Sequence, residues 1–308
     1  MINLKVERLR LNNSYVTLAI FNSSEYRLTV TMGKELENER LSQIFGRPAL
    51  DEIPSARMNL GYFDPGGREH LGTFVTDGLY YFDPDWGFLD LIYDLNNQLI
   101  IKHIADLQEV AYWQGNAHFA VGTSFSLIQD GEINLENSEY FDHAPYRNPR
   151  SAIGQDEDGN IVLCVVDGRS RDSAGVTAKE FAIMMKAFGC INAVNLDGGG
   201  SSEMIVGDKI YNRPSDGQER RIGSALITYG KVDVSKAPVI RQLFFNGIYV
   251  HLLQRWLTHL GYNVGEIDGV YGGMTKSKVK AFQSSRGLAE DGVVGPFTWG
   301  VLVKEVLV

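Results

Sequence analysis

The residues best able to do chemistry sit in one short run, Asn195 to Ser202, reading NLDGGGSS. Three successive glycines reach backbone conformations closed to other residues, and main-chain N–H groups there can approach a ligand without side-chain obstruction. Such N–H groups in series form an anion-binding nest. Ser201 and Ser202 add two hydroxyl donors, and Asp197 stands where an apolar run ends. A tight turn with an aspartate cap would use the same glycines; the flanking Asp and Ser-Ser at a strand terminus favour a site. Further polar groups stand at other strand ends: Asp167-Gly168-Arg169, Pro149-Arg150, Arg213, and the pair Arg220-Arg221, of which Arg221 is assigned to the site. Arginine offers a planar fork of donors matched to phosphate oxygens. One such arginine reads as a surface ion pair; their repetition at strand ends points to a cleft for an anionic ester.

The elements that must position these residues are mostly strands. VERLRL, SYVTLAIF and RLTVTM are short β-rich runs separated by polar pairs, and GTFVTDGLYYF and FLDLIYDL continue the pattern. The charged stretch from Glu35 to Phe45 is assigned one helix. ARMNLGYFDPGGR reads as a strand running into a Pro/Gly turn. Residues 116–150 are strand-like but broken by a polar loop, YFDHAPYRNPR, whose Asp, His, Tyr and Arg are residue types that line sites. GQDEDGN signals a hairpin turn into IVLCVVDGR, an almost wholly apolar strand that should be buried on both faces. Thr177 and Glu180 have capping-box spacing at the start of TAKEFAIMMKAFG, which Gly189 stops. INAVNL, a second buried strand, delivers Asp197.

The 308 residues suit about two domains. A hydrophobic content of 44% and a charged content of 22% give the ordinary globular profile. The net charge of −9 argues against nucleic-acid binding, which needs a basic footprint. Cys164 and Cys190 lack metal-ligand spacing and read as buried small hydrophobes. The six histidines are scattered, so no metal or other cofactor is implied; a structural calcium at the Asp/Gly turns has no further support. There is no 18-residue apolar run and no signal-like N-terminal stretch.

From Arg57 to Tyr229 the chain resembles the phosphodiester glycosidase family, typified by the N-acetylglucosamine-1-phosphodiester α-N-acetylglucosaminidase that uncovers mannose 6-phosphate. The resemblance is carried by MNLGYFDPGG, NPRSAIGQDEDGN, VVDGR, GVTAKEFA, AVNLDGGGSS and NRPSDGQERRIGSALI, in the family's order and over about half the chain. In the first block Leu60 and Tyr62 replace a Gly and a Phe of the family's usual pattern. The resemblance implies a cleft containing Asn59, Asp64, Arg150, Asp167, Arg169, Asp197, Gly198, Gly199, Gly200 and Ser201, with Thr177 and Glu180 at further matching positions. It implies cleavage between a sugar's anomeric carbon and a phosphate oxygen. A phosphate monoester leaves readily, so strong general-acid help is less needed than in glycosidases that share the work between two carboxylates. The reaction needs charge stabilisation on the phosphate and an activated group near the anomeric carbon. On this reading Arg150, Arg169 and the glycine nest hold the phosphate, Asp197 is base or nucleophile, and Asp167 and Glu180 support it.

Composition changes at KVDVSKAP, so the expected organisation is an α+β catalytic domain of mixed sheets with few helices over 1–232, a linker over 233–245, and a small helical domain over 246–308. The tail shows duplicated helix-turn units, with Asp268-Gly269 and Asp291-Gly292 each followed by Val and Gly. LQRWLTHLGY, IDGVYGGMT, VKAFQ and GLAEDGVVGPFTW resemble the peptidoglycan-binding type 1 domain, a three-helix module. Its Trp and Phe residues read as core, and Asp268, Gly269 and Tyr271, on a turn expected to be exposed, are the candidate wall contacts.

Together these readings imply a hydrolase at the cell wall or outside the cell, released by lysis or carried on a phage particle. Its expected partners are peptidoglycan and a glycan phosphodiester. Teichoic acid is such a polymer, often joined to peptidoglycan through N-acetylglucosamine 1-phosphate. Two rivals remain: a non-catalytic wall or phage receptor-binding protein, and a peptidoglycan hydrolase, for which no zinc set, Cys-His pair or lysozyme-like Glu pattern is present.

Overall fold

A computed structural model of the chain describes residues 4–32, 39–64, 70–85 and 87–307. The apolar run before Asp167 becomes a central strand of a seven-stranded sheet. That sheet runs in the order β1 (Lys5–Leu11), β2 (Ser14–Asn22), β14 (Asn160–Val166), β13 (Arg150–Asp156), β15 (Cys190–Asn195), β11 (Ser126–Gln129), β12 (Glu132–Ile133). Its pairings are antiparallel throughout. Side chains alternate across a strand, and β14 shows the consequence. Ile161, Leu163 and Val165 enter one apolar core, while Val162, Cys164 and Val166 enter another. A strand buried on both faces carries no polar alternation, which is why it reads as continuously apolar. Cys164 and Cys190 are buried free thiols of this packing, and burial pushes both thiol pKa values up.

The second of these cores is closed by the helix α2 (Ala178–Ala187), which packs Phe181, Ala182 and Met185 against the sheet. Thr177 caps α2 as expected. Its hydroxyl accepts from the Glu180 amide at 3.1 Å, and Glu180 Oε2 accepts from the Thr177 amide at 2.9 Å. The first core lies against two five-stranded sheets. One runs β7 (Leu79–Phe82), β6 (Phe74–Thr76), β10 (Ala117–Gly122), β8 (Asp90–Asp94), β9 (Leu99–Lys102), again antiparallel. The other runs β17 (Lys209–Ile210), β16 (Met204–Val206), β5 (Glu52–Asn59), β19 (Ser224–Lys231), β3 (Arg27–Met32). A short ladder joins β18 (Arg221–Ile222) to β4 (Glu39–Arg40). The helix α1 (Leu107–Asn116), capped by Asp106, is an element the strand-dominated reading did not anticipate. The helix expected from Glu35 to Phe45 lies partly outside the described residues; its described part is β4 and a single 3-10 turn at Leu41–Gln43.

Just before β16 lies a buried carboxyl whose neutral form the fold favours. Glu203 is 2% exposed, its Oε1 is buried without a partner, and burial together with the adjacent Glu219 carboxyl pushes its pKa up to about 9. Arg57 and Arg40 pull the other way but do not compensate. The unfolded chain releases this proton near the ordinary glutamate value, so the folded state loses stability as pH rises from about 4.5 toward 9. Glu203→Gln should therefore leave the urea midpoint little changed at pH 5 and raise it at pH 8. An equal shift at both pH values would contradict this.

The chain divides into two compact units, 1–44 with 55–228, and 45–54 with 229–308. The second unit is built on α3 (Ile248–His259), α4 (Gly273–Ser285) and α5 (Pro296–Val306) around Trp256, Phe282 and Trp299. Its turns are built on the same pattern of hydrogen bonds. Gln254 Nε2 donates to Asp268 Oδ1, Val270 O and Thr275 Oγ1, and its Oε1 accepts from the Gly269 amide. Gln283 does the same with Asp291, Val293, Thr298 and the Gly292 amide. The segment expected to be a linker belongs to this packing. Ile240 is fully buried and exchanges backbone hydrogen bonds with Val294, and Trp299 Nε1 donates to Pro238 O. Residues 45–54 join it too, since Trp256 Nε1 donates to Leu50 O at 2.8 Å. No sequence signal links 45–54 to a module two hundred residues away.

Of the candidate wall contacts, Asp268 is exposed as expected, whereas Gly269 and Tyr271 are not. Tyr271 is fully buried, its hydroxyl donating to Gly292 O at 2.7 Å. Gly269 is buried against Phe45, and the Asp268 carboxylate is engaged by Gln254 and the Val270 amide. These residues build the repeated turn.

Candidate active site

A cleft of about 180 Å³ opens where β15 ends and β13 begins. It is lined by the run from Asp197 to Gly200, by Pro149 and Arg150, which are buried, by Tyr62, His143 and Asn148, and by the exposed side chains of Arg169 and Arg220. Asp197 is held by its backbone. Its amide donates to Leu60 O at 2.9 Å, and its carbonyl accepts from Asn59 Nδ2 at 2.7 Å. Asn59 is buried at the end of β5, and its Oδ1 accepts from Ser151 Oγ and the Glu203 amide. It is thus a clamp beneath the turn.

The Asp197 carboxyl accepts from the Gly198 amide at 2.7 Å. Burial pushes its pKa up to about 6, against the opposing pull of Ser201, the Gly198 amide and Arg220. Ser201 Oγ and Ser202 Oγ are buried without hydrogen bonds of normal geometry, behind the turn.

The glycines serve a purpose other than the expected nest. Gly198 N–H is taken by Asp197, Gly199 N–H by Pro149 O, and the Ser201 and Ser202 amides by turn carbonyls. Among the described residues only the Gly200 amide of this run is left without a partner. What the absent side chains permit is close approach of two guanidinium groups. A Cβ on Gly199, whose φ is +61°, would meet Arg169 Nη1 at 3.1 Å. On Gly200 it would meet Arg220 Nη2 and Asp216 Oδ2 at 2.2 Å each. Arg220 is held over the turn by Asp216, Nε to Oδ2 at 2.8 Å, and Arg169 leans on Asn148 Oδ1 at 3.1 Å. Both arginines are otherwise exposed and carry donors toward solvent.

Arg150 lines the cleft, as expected, but most of its donors are taken. Its Nε donates to Val176 O, and its Nη2 to the carbonyls of His143, Ala144 and Tyr146, at 2.8 to 3.1 Å. Burial lowers its pKa to about 10. Only Nη1 is left for a ligand; the rest of the group pins the 143–146 loop. Arg150→Met should destabilise the fold by about 3 kcal/mol or more, because several buried carbonyls lose a charged donor together. A chemical-denaturation curve matching the parent would contradict this role.

The other expected residues lie outside the cleft. Asp167 is 4% exposed, its Oδ2 bonded to Arg8 Nη2 at 2.7 Å and its Oδ1 to the Arg213 amide at 3.0 Å. It ties β1 to the 213 loop, and Arg213 contributes its backbone there. Glu180 is occupied by the helix cap and an ion pair with Arg147. Arg221 stands one residue beyond Arg220, in the ladder with Arg40, and does not line the cleft. Asp64 is exposed and does not line the cleft.

Tyr62, His143, Asn148 and Arg220 line it without having been assigned to it. His143 and Asn148 fall in the polar loop YFDHAPYRNPR, which composition alone marks. Among the described residues no group of three His, Cys, Asp or Glu side chains gathers as a metal site.

The first unit has the fold of a known catalytic domain. The chain superimposes on that of the zebrafish N-acetylglucosamine-1-phosphodiester alpha-N-acetylglucosaminidase, auto-inhibited by its pro-peptide, with a TM-score of 0.57 at 19% identity, covering 73% of this chain and 81% of that one. A hypothetical protein from Synechocystis gives 0.53 at 16% identity, over 74% and 62% of the two chains. The phosphodiester glycosidase family model matches residues 54–229, and the chain belongs to that family. Residues 246–302 match the putative peptidoglycan binding domain.

Among curated relatives, the SPbeta prophage-derived uncharacterized protein YomE of Bacillus subtilis is 49% identical over 100 residues, 32% of this chain and 16% of that protein. The mouse N-acetylglucosamine-1-phosphodiester alpha-N-acetylglucosaminidase is 34% identical over 102 residues, 29% of this chain and 20% of that protein. The matches thus span a fifth or less of these relatives' length. Among the described residues no helix is long and apolar enough to cross a membrane.

Proposed function

We propose that this chain hydrolyses a sugar-1-phosphodiester of a cell-wall glycopolymer, of the N-acetylglucosamine 1-phosphate type found where teichoic acid joins peptidoglycan. The observation that carries the reading is the Asp197 carboxyl lining one cleft with the guanidinium groups of Arg169 and Arg220, its pKa raised by burial. Arg169 and Arg220 face the phosphate, with Arg150 Nη1 and the Gly200 amide beside them. Preorganised donors of this kind stabilise the charge that develops on the departing phosphate monoester. Asp197 attacks the anomeric carbon. The peptidoglycan-binding unit holds the enzyme at the wall and raises the effective substrate concentration. The family membership and the names of the mammalian and zebrafish relatives support the sugar; the prophage relative supports a phage or lysis route to the wall.

The test has two arms. Purified protein is incubated with an aryl N-acetylglucosamine 1-phosphodiester and with intact teichoic-acid-bearing walls. Release of the aryl phosphate and of anionic polymer is expected. Polymer retention with turnover of the small ester would remove the wall substrate and keep the reaction. No turnover of either would favour a non-catalytic wall-binding protein.

A further inference from the structure

The cleft lining holds a hydrogen-bonded pair that the reaction above has not used. Tyr62 Oη and His143 Nε2 are 2.9 Å apart, with their rings inclined by only 17°. The pair is set in aromatic surroundings. Phe141 packs on both rings, at 5.5 Å from Tyr62 and 5.7 Å from His143, and Phe88 packs on Tyr62. The His143 backbone is pinned separately, its carbonyl accepting from Arg150 Nη2 at 2.9 Å. Both rings line the same cleft as Asp197.

We propose that Tyr62 and His143 form a proton relay for the hydrolytic step, with Tyr62 touching the attacking water and His143 receiving the proton. The inference rests on the proposed reaction, in which Asp197 is the nucleophile. A carboxylate oxygen bonded to the sugar carbon is not free to take the proton of the water that displaces it. In the first step an Asp197 oxygen bonds to the anomeric carbon, and the carbon–oxygen bond to phosphate breaks, its electron pair leaving with the phosphate monoester. In the second step water attacks the same carbon and the bond to Asp197 breaks, restoring the carboxylate. The water's proton passes to Tyr62 Oη as the phenolic proton passes to His143 Nε2. The imidazolium then gives its proton to solvent.

The electrostatics around the pair fit a concerted transfer. Burial and the Asp197 charge oppose a phenolate at Tyr62, outweighing Arg150 and the Ser124 hydroxyl, so Tyr62 accepts a proton only while giving one up. Burial, Arg150 and Arg169 hold His143 below the usual histidine range against Asp142 and its own carbonyl, so the imidazole is neutral and vacant at neutral pH.

The experiment compares the full chain with Tyr62→Phe and His143→Gln on an aryl N-acetylglucosamine 1-phosphodiester. Each should lower kcat by about 10²-fold with KM little changed, and the double variant should be no worse than either alone. Acidification should cost the parent activity through protonation of both Asp197 and His143, and His143→Gln should remove the second contribution. Imidazole nitrogen NMR supplies a readout without turnover: Nε2 of His143 should be an unprotonated acceptor at pH 7, with its resonance moved by Tyr62→Phe. Parent-like kcat and pH profile in both variants would overturn the relay and leave the assignment of Asp197 standing. Loss of turnover in Asp197→Asn alone identifies that assignment independently.

Discussion

Asp197→Asn should reduce turnover of a sugar-1-phosphodiester by about 10³-fold or more while the protein stays folded. The amide keeps the shape of the carboxyl and can still accept from the Gly198 amide, so the turn has no cause to rearrange. What disappears is the group that bonds to carbon. The stability effect should have the opposite sign to the activity effect. A folded-state pKa of about 6, above the ordinary aspartate value, means that folding opposes ionisation, and that penalty grows as pH rises through the interval between the two values. The asparagine has no such penalty, so the variant should melt no lower than the parent at pH 7. The same ionisation governs activity in the parent, where kcat should climb as pH rises through about 6 and then level off. A variant with normal turnover, or a parent fully active at pH 4, would exclude Asp197 as the acting carboxylate.

Gly200→Ala and Arg220→Ala should be nearly equivalent, each lowering kcat/KM by about 10²-fold, and should not add when combined. The reason is steric. A single methyl group on Gly200 falls 2.2 Å from both Arg220 Nη2 and Asp216 Oδ2, closer than any real contact. Those atoms are the ends of side chains that can swing away, so the fold survives while the guanidinium leaves the cleft. Asp216→Ala, which removes the anchor without filling the space, should fall between the parent and these variants. The measurement is kcat/KM for the parent and all four variants with one ester. Additive losses from Gly200→Ala and Arg220→Ala would show that the glycine acts through its own amide, the only one of the run without a bond, and would restore the nest as the phosphate site.

The residue types and local spacing determined a good deal of this molecule. The double-sided burial of IVLCVV, the cap at Thr177, the hairpin at Asp156–Asn160 and the duplicated Asp-Gly turns all follow from periodicity and turn chemistry acting within a few residues. The triple glycine after a buried strand marked the site because few other tasks need it. Tertiary structure alone decided which polar groups reach the cleft. Asp167 and Arg169 are two residues apart, yet one is locked to Arg8 on β1 and the other leans over Gly199. Arg220 and Arg221 are adjacent and face different surroundings. Tyr62 and His143 meet across 81 positions of sequence. Local forces set each side chain's type of element, whereas its neighbours depend on strand order and loop closure, which join segments far apart in the chain and leave no mark on either segment by itself.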